Sequence, residues 1–468
     1  MEALLGGAII GGAAGAGIAS LLRYRLASGV SRAEPVATEE RPPAEADVVV
    51  IGAGVAGLAT ALYLNEHGMK VLVLEKGVVA GEQSSRAFGW IYSNGWHPEK
   101  LELANQAKRL WEGYAGRFGE DIGYRRTGNF SLINSEEEME AHKAWLSEAK
   151  QADPSITSRI VTGEELDRLL PGLQDRYLGA LYQDSDGTIE PQYTISRLAR
   201  GAQREGVTIC APCAVRQIEL AGGQVAAVET EHGTIRCKTV VIAAGAWSSL
   251  LVRQLGVRLP QLGICTTMQR LSSVAGPAGA GYGRDFTWRR HADGQYSMGG
   301  LRHVSPLTLD SFRFLRDFMP AMGHARSMLK LRFGGDFWTS FGERASSRTD
   351  AASVFEHVRI LSARVDRKEN GTIRANATRA FPALASARVV DSWGGVIDAT
   401  PDSTPVISDV ANTPGVFLIT GFSGNGLSVA PAAGQMLAAM IAGVKPVCNP
   451  AIYRLQRFRD GSPFVFRH

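Results

Sequence analysis

The stretch Val48-Val49-Val50-Ile51-Gly52-Ala53-Gly54-Val55-Ala56-Gly57, followed after a helix-forming run by Val71-Leu72-Val73-Leu74-Glu75, decides the fold. An apolar strand runs into Gly-x-Gly-x-x-Gly. A helix follows, with Gly68 where a C-terminal cap belongs, and a second apolar strand ends in an acid. Gly52 permits the tight turn, Gly54 lets backbone approach a pyrophosphate, and Gly57 lets helix pack on strand. The helix start at Val55 and Ala56 offers free N–H groups and a positive dipole end to phosphates. Glu75, 18 residues past Gly57, is placed to bond the ribose hydroxyls of an adenosine. The spacing predicts an α/β, Rossmann-like unit holding an adenine dinucleotide.

Two further places have the same character. Thr239-Val240-Val241-Ile242-Ala243-Ala244-Gly245-Ala246-Trp247 is a buried strand ending in small residues, where a ligand can lie against backbone. Gly415 to Thr420 is a strand that runs into Gly421-Phe422-Ser423-Gly424-Asn425-Gly426, and Leu427 to Ile441 then has helical spacing. The nucleotide-binding domain is therefore discontinuous: 46–118, 186–255 and 385–452. An α+β substrate domain is interleaved with it over 119–185 and 256–384. Val207 to Leu220 and Gln224 to Thr230 read as paired strands.

With 468 residues, 45% hydrophobic and 21% charged, the chain is ordinary for a globular protein of two or three domains. A formal charge of +4 with scattered basic residues gives no nucleic-acid stripe. The nine histidines show no ligand spacing, so no metal site is expected. Cys210-Ala-Pro-Cys213 has redox spacing but lies in a strand pattern, which favours inert thiols.

Residues 3–22 carry no charge and are long enough to cross a bilayer. Arg23, Arg25 and Arg32 follow, which by the positive-inside rule holds the body on the cytoplasmic side. A single-pass anchor in the cell (inner) membrane is expected, with a cleaved signal peptide as the alternative. Residues 23–45 read as a linker.

These segments, with Pro401-Asp402-Ser403-Thr404-Pro405, resemble the flavoproteins of the D-amino-acid oxidase, glycine oxidase and sarcosine oxidase superfamily. Ala80-Gly81-Glu82-Gln83-Ser84-Ser85-Arg86, Trp393-Gly394-Gly395, the pattern Arg289 to Tyr296 and the apolar N-terminus are similar to membrane-bound bacterial L-amino acid deaminases. Phe88-Gly89-Trp90-Ile91 departs from that branch. The resemblance implies FAD. It implies that Gly52, Gly54, Gly57 and Glu75 hold the ADP part and that Ser84, Ser85 and Arg86 line the ribityl and phosphate region. Gly245 then passes under the cofactor, and Gly424, Asn425, Gly426 and Leu427 aim N–H groups at the flavin. Val55, Ala56, Lys76, Gln83, Val215, Ala244 and Trp247 complete the implied walls. No cysteine stands just before Trp393-Gly394-Gly395, so the FAD is expected to be non-covalent.

The implied reaction is oxidation of an amino acid, with hydride passing from Cα to flavin and the imino acid hydrolysing to a 2-oxo acid and ammonia. The respiratory chain, through a quinone, is the implied acceptor. A peroxide-forming oxidase and a flavin-binding subunit of a larger dehydrogenase are the alternatives. Arg289 is the expected carboxylate clamp, since a guanidinium fork meets a carboxylate in two bonds; Arg290 in that role, or a surface ion pair, is the other reading. Strand alternation puts Arg289 and His291 on one face and Arg290 on the other. Trp393 and Trp90 are expected pocket walls. Between 302 and 345 an apolar, basic run suits contact with membrane lipid, with ordinary substrate-domain helices as the other reading.

Overall fold

The computed structural model describes residues 30–174, 177–325, 329–334 and 352–466. Its centre is a six-stranded sheet in the spatial order Val406–Asp409, Val416–Thr420, Thr239–Ile242, Val48–Ile51, Val71–Leu74, Thr208–Cys210. All neighbours are parallel except Val406–Asp409, which runs antiparallel to Val416–Thr420. All four residues of Val48–Ile51 are buried, as a parallel strand covered on both faces requires. Val48 and Val50 face the helices Val55–Glu66 and Gly426–Ile441, whereas Val49 and Ile51 join a second cluster with Val228 and Ile235. The two helices approach closely at Gly434, where an added Cβ would stand 2.6 Å from Thr60 N.

The second face carries an antiparallel meander, Val215–Ala221, Gln224–Thr230 and Gly233–Arg236. The run 207–220, expected as one strand, is thus broken. Thr208–Cys210 edges the nucleotide sheet, and Val215–Ala221 starts a separate one.

A ten-stranded sheet forms the other half of the molecule. Val389–Ala399 pairs with Leu262–Leu271 from Leu262↔Ala399 to Leu271↔Val389. This strand, expected with the nucleotide segment 385–452, therefore belongs to the substrate sheet. The reason is physical: its end meets the nucleotide loops while its length is hydrogen-bonded away from them.

The described part of the expected linker is docked. Glu34 N donates to Gln192 O (2.8 Å), Ser196 Oγ donates to Glu34 O (2.8 Å), and Glu39 bridges to Cys210. Residues 3–22 lie outside the described residues, and no helix among the described ones is long and apolar enough to cross a membrane. Within 302–345, His303–Pro306 pairs in parallel with Leu329–Arg332, joined by helices Leu309–Arg313 and Leu315–Ala325. Phe312, Leu315, Met319, Leu331 and Phe333 are exposed there.

Candidate active site

Three strand ends of the nucleotide sheet open into one cavity of about 320 Å³. The first supplies Gly52, Gly54, Val55 and Ala56 to its lining. Gly52 has φ +112°, and a Cβ there would lie 2.5 Å from Ala243 O, so only glycine serves. A Cβ on Gly54 would meet only Ser84 Oγ, at 3.1 Å; the space over it is otherwise free. Gly57 does not line the cavity. Its Cβ would fall 2.0 Å from Gly52 O, so it serves helix–strand contact. Helix Val55–Glu66 begins without a capping side chain from Gly54, and Val55 N donates to Ser84 Oγ (3.0 Å).

Glu75 closes one end with Lys76, Val215 and Trp247. Its carboxylate accepts from Ala53 N (3.0 Å) and Gly77 N (2.8 Å). Desolvation raises that carboxyl above its ordinary range, and Lys76 opposes the shift. Lys76 bonds Glu82 (2.5 Å) and lies 4.8 Å over the Trp247 ring.

The second segment brings Ala244 and Gly245, with Gln83 bonded to Ala246 N at 3.2 Å. The third brings Gly424, Asn425, Gly426 and Leu427. Tyr92 Oη donates to Asn425 Oδ1 (3.0 Å) and Trp111 Nε1 to Leu427 O (2.8 Å), which fixes the start of the last helix.

Ser84 and Arg86 line the cavity and Ser85 does not. Ser85 is buried behind it, its Oγ without a partner among the described residues. Arg86 donates to Gly394 O (3.2 Å) and Val30 O (2.7 Å), leaving Nε unpaired among the described residues. Of the five cysteines only Cys213 lines the cavity, and burial pushes its thiol up to about 12. A thiol held protonated is a poor nucleophile.

The other end is walled by Phe88, Trp90, Met268, Leu301 and His303. Trp90 packs edge-on to Phe88, with centroids 4.7 Å apart. Trp90 Nε1 and His303 Nδ1 are buried without partners among the described residues. Burial lowers His303 to about 4, so its ring is neutral at ordinary pH.

Two of the three expected substrate-pocket residues stand elsewhere. Arg289 is 2% exposed and absent from the cavity lining. Its guanidinium donates to Glu190 (2.8 Å) and Ile189 O (2.8 Å). His291 Nδ1 lies 2.7 Å from Glu190, and its Nε2 2.7 Å from Ser297 Oγ. Burial acts to raise the Glu190 carboxyl, but His291 and Arg289 outweigh it and hold it at about 2. The clamp assignment is therefore corrected: Arg289 and His291 do share a face, but that face turns to Glu190. Gly89 separates Arg289 from the cavity, since a Cβ there would be 3.0 Å from Arg289 Cζ. Trp393 is also behind the wall. Its Nε1 donates to Arg86 O (3.0 Å), and Arg32 stacks on its ring at 4.4 Å.

Sequence reasoning missed His303, Met268, Leu301 and Asp398. Asp398 had a faint signal: it is an acid directly after the short apolar pair Val396-Ile397. His303 had none, because the strand that carries it is set by pairing with distant residues.

The glycine cradle fits a dinucleotide, and the adjoining apolar end holds polar atoms with no partner among the described residues. Together they define a dinucleotide-dependent oxidoreductase with a small-molecule pocket. Residues 47–440 match the model of the FAD dependent oxidoreductase family DAO, and the chain belongs to that family. It is 27% identical over 430 residues to sarcosine oxidase subunit beta of Rhodobacter capsulatus, covering 90% of each chain. It is 26% identical to glycine oxidase of Pseudomonas aeruginosa, covering 87% of this chain and 97% of that one. The structure of L-amino acid deaminase from Proteus myxofaciens in complex with anthranilate superposes with a TM-score of 0.89 at 36% identity, covering 92% and 98%. The protein is an FAD-dependent oxidoreductase acting on amino-acid-type substrates.

Proposed function

We propose that the protein oxidatively deaminates an amino acid bound between Trp90 and His303, using non-covalent FAD and passing electrons to a membrane quinone. The observation behind this reading is the cavity itself, in which a glycine cradle for a dinucleotide continues into an apolar end with two buried nitrogens that have no partner among the described residues. Gly54, Glu75, Gly245 and Gly426 would hold the FAD, which supplies the acceptor for a hydride. Neutral His303 and Trp90 Nε1 bind and orient the polar atoms of the substrate, because a buried group without a partner gains most from one. Among the described residues, Arg86 Nε is the one cationic donor left unpaired in the cavity lining, and it takes the place first given to Arg289 as the carboxylate's partner. Phe88, Met268 and Leu301 exclude water and favour an apolar side chain.

The quinone and membrane part rests on the uncharged run 3–22 and on exposed Phe312, Met319 and Phe333 beside Arg316 and Lys330. Deleting residues 1–25 tests it: less protein should pellet with membranes while FAD stays bound. Fully soluble full-length protein would contradict the anchor. The oxidase relatives favour a second reading, in which oxygen is the acceptor. Oxygen uptake with and without a quinone analogue separates the two. The relative named as a subunit favours a third, a flavin-binding component without turnover alone.

A further inference from the structure

Asp398 is 4% exposed, lines the cavity and, among the described residues, has only neutral donors around it. Its Oδ1 accepts from Gln83 Nε2 at 3.0 Å. Its Oδ2 accepts from Gly421 N at 2.8 Å, with Thr420 Oγ1 at 3.3 Å and Gln261 Nε2 at 3.4 Å. Three of these groups converge on one turn of the cradle, Gly245–Ala246. Gln83 Oε1 accepts from Ala246 N (3.2 Å), beside Gly245. Gln261 Nε2 and Thr420 Oγ1 both reach Gly245 O, at 3.2 and 3.1 Å. Asp398 O accepts from Ser423 N (3.1 Å) in the third loop.

We propose that Asp398 is a positioning residue that holds in register the three segments meeting at the cofactor: the helix Gln83–Arg86, the turn at Gly245, and the loop 420–424. The proposal rests on the FAD reading and goes beyond it, because it gives a role to a residue that need not touch the cofactor. A buried carboxylate is costly unless its oxygens are all satisfied. Here the acceptor geometry is specific: both oxygens accept, from opposite sides. An amide has one acceptor oxygen, so Asp398→Asn must set its NH2 against either Gln83 Nε2 or Gly421 N. Burial also pushes the Asp398 carboxyl up, and the hydrogen bond from Gln83 opposes that.

The arrangement permits a swap. In Gln83→Glu the new carboxylate faces Asp398 with no donor between them. The double variant Gln83→Glu/Asp398→Asn restores the contact with the direction of donation reversed: the amide introduced at position 398 donates to the carboxylate introduced at position 83. That carboxylate still accepts from Ala246 N, and the amide oxygen still accepts from Gly421 N.

FAD dissociation is measured on the full-length variants by the fluorescence of released FAD, with circular dichroism as the folding control. Each single variant should bind FAD about 10- to 100-fold more weakly than the parent. The double variant should recover to within a few-fold. Merely structural damage would accumulate in the double variant, whereas a direct contact is rescued. Should Asp398→Asn not fold, Gln83→Glu against the double variant reads the same coupling. Asp398→Asn that binds FAD like the parent, or a double variant weaker than either single one, would overturn the proposal. Release of FAD from the parent protein by acid tests the cofactor reading separately.

Discussion

Replacing Arg289 with Met separates a structural ion pair from a substrate clamp. The guanidinium is fully buried against Glu190 and Ile189 O, on the far side of Gly89 from the cavity. Removing one partner of such a pair strands the other and costs about 3–5 kcal/mol. A second route gives a similar size. Glu190 is held at about 2 against an ordinary 4.5, a stabilisation of about 3 kcal/mol shared between His291 and Arg289. We expect Arg289→Met to cost about 2–3 kcal/mol, seen as a fall in Tm on the order of 5 °C with FAD in excess. The Michaelis constant for amino acid should change by no more than about twofold, because no substrate contact is lost. Glu190→Gln probes the same pair from its other side. A carboxyl whose folded pKa is depressed gives stability that is full above about 4.5 and lost as pH falls toward about 2. The Tm difference between Glu190→Gln and parent should therefore be full at neutral pH and shrink in acid. Unchanged Tm with a Michaelis constant raised about tenfold or more would overturn the ion-pair assignment and return Arg289 to the substrate.

Gly54→Val should fold and lose FAD, since its side chain enters free space over the cradle, whereas Gly57→Ala should lose the fold, its Cβ falling 2.0 Å from Gly52 O; solubility and flavin content distinguish them. Acid precipitation should release the FAD to the supernatant, and Cys213→Ser should not alter its amount, because that thiol is held up at about 12. His303→Leu should raise the Michaelis constant about tenfold while sparing flavin content, as expected for loss of one buried hydrogen bond; an unchanged constant would remove His303 from the substrate end.

The parts of the candidate site legible in the sequence are those where backbone lines or shapes the cavity. Gly52, Gly54 and Gly57 announce their roles by spacing, and small residues after Ile242 and Thr420 mark where a ligand can approach. Side chains that act through tertiary contacts were not legible. Nothing local distinguishes Arg289, which meets Glu190 across the fold, from an arginine facing the cavity. Strand alternation correctly grouped it with His291 but could not say which neighbour that face would meet. Trp393 pairs with the cavity-lining Met268 and so shares its face, but its Nε1 is taken up by Arg86 O and its ring by Arg32, contacts from segments distant in sequence. The run 207–220 misled because continuous apolar character does not record that two sheets share one segment.

The proposed chemistry comes down to one event, the reduction of bound FAD by an amino acid lodged between Trp90 and His303. Anaerobic titration of the purified holoprotein against a panel of L- and D-amino acids and N-methylated glycines observes that event itself. At least one apolar amino acid should bleach the visible flavin band completely, and His303→Leu should need more of it to do so. Flavin that stays oxidised with every member of the panel, while dithionite reduces it readily, would contradict the proposed reaction.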